Sequence, residues 1–152
     1  MTVLGHDHLS LPWASAVREA SIDLHLGEGF RVPSLERGVF KDSWKKEWFN
    51  LEPLSFALGH TQEVVDIPLD CVGMLMGVST IARKGLFVHT TAGWVEPGFR
   101  GTLTLEFFNA SPWTFPLEAG MRIAQIALLR VDGATPYAGR YQNQWGPTEA
   151  RE

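Results

Sequence analysis

Apolar and polar residues alternate in short runs over most of this chain. In residues 21–30, Ile22, Leu24 and Leu26 fall on one side and Ser21, Asp23 and His25 on the other. That period of two predicts a half-buried strand, ended by Gly27 and Gly29. Comparable runs recur at 54–58, 62–67, 72–78, 86–90, 101–109 and 121–131, separated by Gly, Pro or Asp. A helical spacing shows over residues 11–20, where Trp13, Val17 and Ala20 recur at intervals of three and four. Residues 31–51 keep no period and read as a surface excursion whose Trp44 and Trp48 pack back onto the body of the protein or a neighbouring subunit. Residues 134–152 are polar, carry Tyr137, Tyr141 and Trp145, and read as an arm that orders on contact. With no helix-length pattern between the strands, a sandwich or small barrel is expected rather than parallel βαβ units. The expectation is one all-β domain, residues 1–133, with 134–152 as its C-terminal arm.

Composition sharpens this picture. A chain of 152 residues with 45% apolar and 20% charged positions is long enough to build a core without staples. Its 15 Gly and 9 Pro punctuate it too often for long helices. A formal net charge of -4 argues against nucleic acid as a partner. The single Cys71 excludes an intramolecular disulfide framework and a multi-cysteine zinc site. No apolar run reaches the roughly 18 residues of a membrane span, and the first residues lack the basic and apolar regions of a secretion signal. The expected location is therefore the cytoplasm, with no membrane partner.

Several chemistries fail on their motifs. There is no Gly-rich loop followed by Lys and Ser or Thr, no G-x-S-x-G elbow, no H-E-x-x-H and no zinc-deaminase signature. His6-Asp7-His8 could set two imidazoles on one side of a strand, but so near a terminus it reads as an accident of composition rather than a metal site.

Three segments carry the positive signal: Gly77-Val78-Ser79-Thr80-Ile81-Ala82-Arg83, the run from Val88 through Thr91-Ala92-Gly93-Trp94-Val95-Glu96-Pro97-Gly98 to Gly101, and Leu103-Thr104-Leu105-Glu106-Phe107-Phe108-Asn109. In order and spacing they resemble the core motifs of the dCTP deaminase branch of the dUTPase-like superfamily. Ala20-Ser21-Ile22-Asp23-Leu24-His25-Leu26-Gly27 resembles that family's early strand. Gly120-Met121-Arg122-Ile123-Ala124-Gln125 and Arg140-Tyr141-Gln142-Asn143-Gln144-Trp145-Gly146-Pro147-Thr148 resemble its late strand and arm. The likeness runs from about residue 20 to 151. It implies a distorted jelly-roll β-barrel of the dUTPase-like type, a homotrimer with active sites between subunits, and dCTP or dUTP as ligand. Mg²⁺ would arrive on the triphosphate, with no zinc.

The resemblance also implies roles. Glu106 stands where the deaminases carry glutamate and plain dUTPases an apolar residue. Replacing an amino group by oxygen needs a proton taken from water and another given to the departing nitrogen, and without zinc one carboxylate must carry them. Ser79 would lie near the reacting water, and Arg83 would fix geometry and negative charge, work that suits a planar guanidinium. Nucleotide contacts are implied at Val78, Thr80, Ile81 and Ala82, at Thr91, Ala92 and Glu96, and at Thr104, Leu105 and Gln125. Tyr137, Arg140, Tyr141 and Gln144 would come from the arm.

Two positions depart from the pattern. Val78 replaces the usual basic residue before the motif serine, and Glu96 replaces an aspartate one methylene shorter. The Thr-Ala-Gly-Trp run and the Gln-x-Gly-Pro-Thr arm look more like the bifunctional deaminases that release dUMP. The longer carboxylate at Glu96 argues for hydrolysis slower than deamination, which makes dUTP the expected product. Release of dUMP, dUTPase activity alone and a non-catalytic nucleotide-binding role stay open as alternatives.

Overall fold

The computed structural model describes residues 17–36, 39–43 and 48–151. Its strands are β1 (Ile22–His25), β2 (Phe30–Pro33), β3 (Phe40–Ser43), β4 (Trp48–Leu51), β5 (Phe56–Asp66), β6 (Cys71–Gly77), β7 (Leu86–Phe87), β8 (Trp94–Val95), β9 (Arg100–Asn109), β10 (Phe115–Glu118) and β11 (Arg122–Arg130). One helical turn, α1 (Ser79–Ala82), interrupts them. The all-β expectation holds.

Two antiparallel sheets enclose the core, one ordered β1-β11-β6-β8 and the other β3-β2-β5-β9-β7, with β10 and β4 forming a separate ribbon. The alternation seen in the sequence sorts side chains between the faces. Ile22 and Leu24 of β1, Ala124, Ile126 and Leu128 of β11, and Leu75 of β6 point inward. Leu103, Leu105 and Phe107 of β9 meet them from the other sheet. Leu105 and Phe107 are fully buried, each worth roughly 1.5–3 kcal/mol relative to exposure.

The sheets are joined by a polar seam that periodicity does not announce. The register of β5 against β9 shifts between His60 and Val64, and within this irregular stretch Thr61 and Glu63 keep the buried face that Ala57 and Val65 also take. Both Glu63 carboxylate oxygens accept the backbone N–H of His25, and Oε1 lies 2.7 Å from His25 Nδ1. Thr61 bridges to Leu26, and its hydroxyl accepts Leu103 N–H while donating to Glu63 O. Asp23, placed on the polar side of its strand by the alternation, is nevertheless only 2% exposed. Arg18 and Arg122 close over it at 2.6 and 3.1 Å, giving a buried carboxylate the partners it needs.

Several expectations need correction. Residues 17–20 are not helical: Val17 forms an isolated antiparallel bridge to Ile22. The rest of the expected helix, with Trp13, and His6-Asp7-His8 lie outside the described residues, as does Trp44. The 31–51 excursion contains parts of three strands, β2, β3 and β4; Trp48 is 62% exposed in this chain, so it does not pack onto its own body, while packing onto a neighbouring subunit stays an expectation. The runs at 54–58 and 62–67 belong largely to one bulged strand, β5. Short strands β8 and β10 fall where the sequence pattern predicts none. No helix among the described residues is long and apolar enough to cross a membrane.

Candidate active site

The site begins on β9. Its inward residues Leu103, Leu105 and Phe107 leave Thr104, Glu106 and Phe108 on the outer face, opposite His60, Leu58 and Phe56 of β5. Glu106 thus stands half-buried on an inner strand of its sheet. Beyond β7 the chain stays alongside: Glu106 N–H donates to Val88 O at 3.0 Å. Thr90 then reaches the carboxylate, its hydroxyl donating to Oε2 at 2.6 Å and its backbone N–H to the same oxygen at 3.2 Å. Oε1 has no partner among the described residues. Thr91 and Ala92 follow directly and are exposed, so the turn expected to meet the base is tied to the carboxylate. The sequence pattern does not single out Thr90, and continuing the β7–β9 register, in which Phe87 pairs with Phe108, would set His89 opposite Glu106 instead; the Glu106 N–H bond to Val88 O shows the chain one residue out of that register here.

Ser79, Thr80, Ala82 and Arg83 are exposed on and just after α1. The turn hangs from the far end of β9, since Gly85 N–H donates to Ala82 O and Ala110 N–H to Gly85 O, at 3.0 and 2.9 Å. Val78 and Ile81 point into the core at 5% and 6% exposure, as does Leu105, which leaves only their backbone for the expected nucleotide contacts. Among the described residues, no side-chain hydrogen bond links Ser79 or Arg83 to Glu106.

Glu96 is exposed at the turn after β8, whose backbone is set by Phe99 N–H on Glu96 O and Gly98 N–H on Ile67 O. Gly98 adopts φ +75°, a conformation that favours glycine. Tyr137 packs on Phe99, ring centroids 5.9 Å apart, and its hydroxyl accepts Tyr141 N–H at 3.3 Å.

The arm lies on its own chain. It runs along β9, with Asn143 N–H on Arg100 O, Thr102 N–H on Gln144 O, and Gly146 and Thr148 N–H on the hydroxyls of Thr102 and Thr104. A Cβ at Gly101 would fall 2.8 Å from Gln144 O, so only glycine admits this approach. Gln144, expected to reach the nucleotide, is 8% exposed and donates its amide to Thr102 O at 2.8 Å; in this chain it anchors the arm. Arg140 and Arg151 each donate to the other's carbonyl, and the Arg151 guanidinium lies 5.7 Å from the Tyr141 ring centroid. Gln125 sits apart, on the outer face of the other sheet, accepting the Ser21 hydroxyl at 3.0 Å. A surface depression of about 390 Å³ near Gly27, His60, Gln62 and Trp145 contains none of the expected site residues.

A family model described as dCTP deaminase-like matches residues 5–131. A curated relative from Parafrankia sp., named dCTP deaminase, dUMP-forming, is 37% identical over 155 aligned positions, covering 89% of this chain and 77% of its own. Among solved structures, the 2'-deoxycytidine 5'-triphosphate deaminase of Agrobacterium tumefaciens superposes with TM-score 0.67 at 18% identity. That match covers 81% of this chain but only 42% of the Agrobacterium chain. A dUTPase of Staphylococcus bacteriophage 80alpha with dUpNHpp gives TM-score 0.58 at 20% identity, covering 89% and 90% of the two chains. The two structural likenesses show a shared fold.

Proposed function

Because the chain belongs to the dCTP deaminase-like family, we propose that it deaminates dCTP and carries the nucleotide on to dUMP, in the cytoplasm, as a homotrimer. The observation that carries the deaminase reading is Glu106: a carboxylate on a rigid inner strand, one oxygen held by Thr90 and the other open. The product is the point at which the sequence expectation changes. The relatives' name favours dUMP over dUTP, and Glu96 is exposed at its turn, so its extra methylene meets no steric limit within this chain.

In the proposed chemistry the oxygen of a water bonds to C4 of cytosine. Glu106 takes its protons in turn, one ending on N3 and one on the amino nitrogen. The C4–N bond then breaks, ammonia leaves, C4=O forms and the carboxylate is restored. Ser79 orients the water and Arg83 counters negative charge. Hydrolysis of the triphosphate follows, releasing pyrophosphate, with Glu96 aligning the second water. Mg²⁺ comes with the phosphates, as is usual for this ion. Among the described residues no side-chain hydrogen bond joins Ser79 or Arg83 to Glu106 within one chain, and in the proposed trimer a neighbouring copy completes the set.

The test is to incubate the protein with dCTP and Mg²⁺ and to follow ammonia, pyrophosphate, dUTP and dUMP. Equal amounts of ammonia, pyrophosphate and dUMP are expected. Glu106→Gln should lower ammonia release by about 10²-fold or more while nucleotide binding persists, since the amide keeps the shape but cannot shuttle a proton. Ammonia with accumulating dUTP would return the assignment to a deaminase alone, and unchanged dCTP would defeat the enzymatic reading.

A further inference from the structure

We infer that Thr90 determines which oxygen of Glu106 carries the proton, making it a positioning residue for deamination; the inference rests on the function proposed above. Thr90 donates to Oε2 twice, through its hydroxyl at 2.6 Å and its backbone N–H at 3.2 Å. A carboxylate oxygen accepts through two lone pairs, so Oε2 is filled. The short hydroxyl contact belongs to the charge-assisted class, the stronger kind of hydrogen bond. Without it the carboxylate would turn about its terminal torsion, which is broad and nearly two-fold, exchanging its oxygens. With it, Oε1 stays the open oxygen throughout.

Two consequences follow for the reaction. The oxygen that takes a proton from the attacking water is the one that delivers it to the pyrimidine, with no rotation between the two transfers. Thr90 keeps its own proton at every stage, so the balance of the reaction is that given above. The same residue joins the carboxylate to the base-binding turn, because Thr91 and Ala92 follow it directly and Glu106 N–H holds Val88 O on the near side. The carboxylate and the turn therefore move as one unit. A displacement of about 1 Å between reacting groups can cost about 10²-fold in rate.

Steady-state ammonia release from dCTP and Mg²⁺ tests this in wild type, Thr90→Val and Thr90→Ser. Thr90→Val removes the hydroxyl at nearly constant shape. Its kcat should fall about 10- to 100-fold with KM for dCTP changed by less than about 3-fold, while pyrophosphate release from dUTP, which does not use Glu106, falls less. Thr90→Ser restores the donor and should recover kcat to within about 3-fold. Where Thr90→Val fails to fold, Thr90→Ala carries the same expectation. Unchanged kcat in Thr90→Val, or equal loss in the valine and serine variants, overturns the positioning role. A wild type that releases no ammonia from dCTP defeats the functional reading itself, and this inference with it.

Discussion

Two acidic residues show how burial and partnership set a side chain's role. Asp23 and Glu63 are 2% and 3% exposed, Asp23 gripped at Oδ2 by Arg18 and Arg122 and Glu63 taking His25 on both oxygens, so they hold strands together. Glu106 is half-buried with one oxygen open, which leaves it available for chemistry. Cys71 is a third kind of buried residue. Its thiol is pushed above its ordinary value chiefly by burial, with the Asp70 charge and hydrogen bond adding and Arg130 opposing. The folded chain therefore keeps this proton to higher pH than the unfolded one, and above the ordinary thiol range stability falls as pH rises. At neutral pH a thiol reagent should label urea-unfolded protein fully and native protein at a small fraction of that rate. Equal rates would show that β6 opens readily.

At the level of elements, the last residue of β9 decides where α1 sits. Asn109 is fully buried and uses its whole amide: Nδ2 donates to Leu51 O and Trp113 O, and Oδ1 accepts the backbone N–H and hydroxyl of Ser111. It fastens β9 to β4 and to the approach to β10, next to the Gly85–Ala110 contact from which α1 hangs. Asn109→Ala strands several buried polar groups, at about 1–3 kcal/mol each. The expected loss is about 3 kcal/mol or more in chemical denaturation, accompanied by lower deaminase activity because Ser79 and Arg83 lose their support. A loss below about 1 kcal/mol would mean that water replaces the amide.

For the whole molecule the question is assembly. Phe87 at 53% and Trp94 at 57% stand exposed on the outer faces of the two sheets, and the expected site residues are divided among α1, the turn after β7 and the arm. A homotrimer would cover apolar surface and bring those groups together. Light scattering at micromolar concentration should give three times 16.9 kDa; a monomer would require the site to be completed within one chain.

The strand pattern and the place of Glu106 were legible in the sequence because both follow from neighbours along the chain. A period of two puts Leu105 and Phe107 on one face and Glu106 on the other whatever the strand pairs with. The motif resemblance added the chemistry at that position. Pairing is another matter. That β4 meets β10, that Glu63 of β5 meets His25, and that Gln144 lies against Thr102 instead of reaching outward all depend on segments far apart in sequence closing onto one another. The same holds for Thr90, whose hydroxyl acquires its role only where the chain after β7 returns beside β9. Local periodicity says which face a side chain takes, whereas the partner on that face is set by the packing of the two sheets.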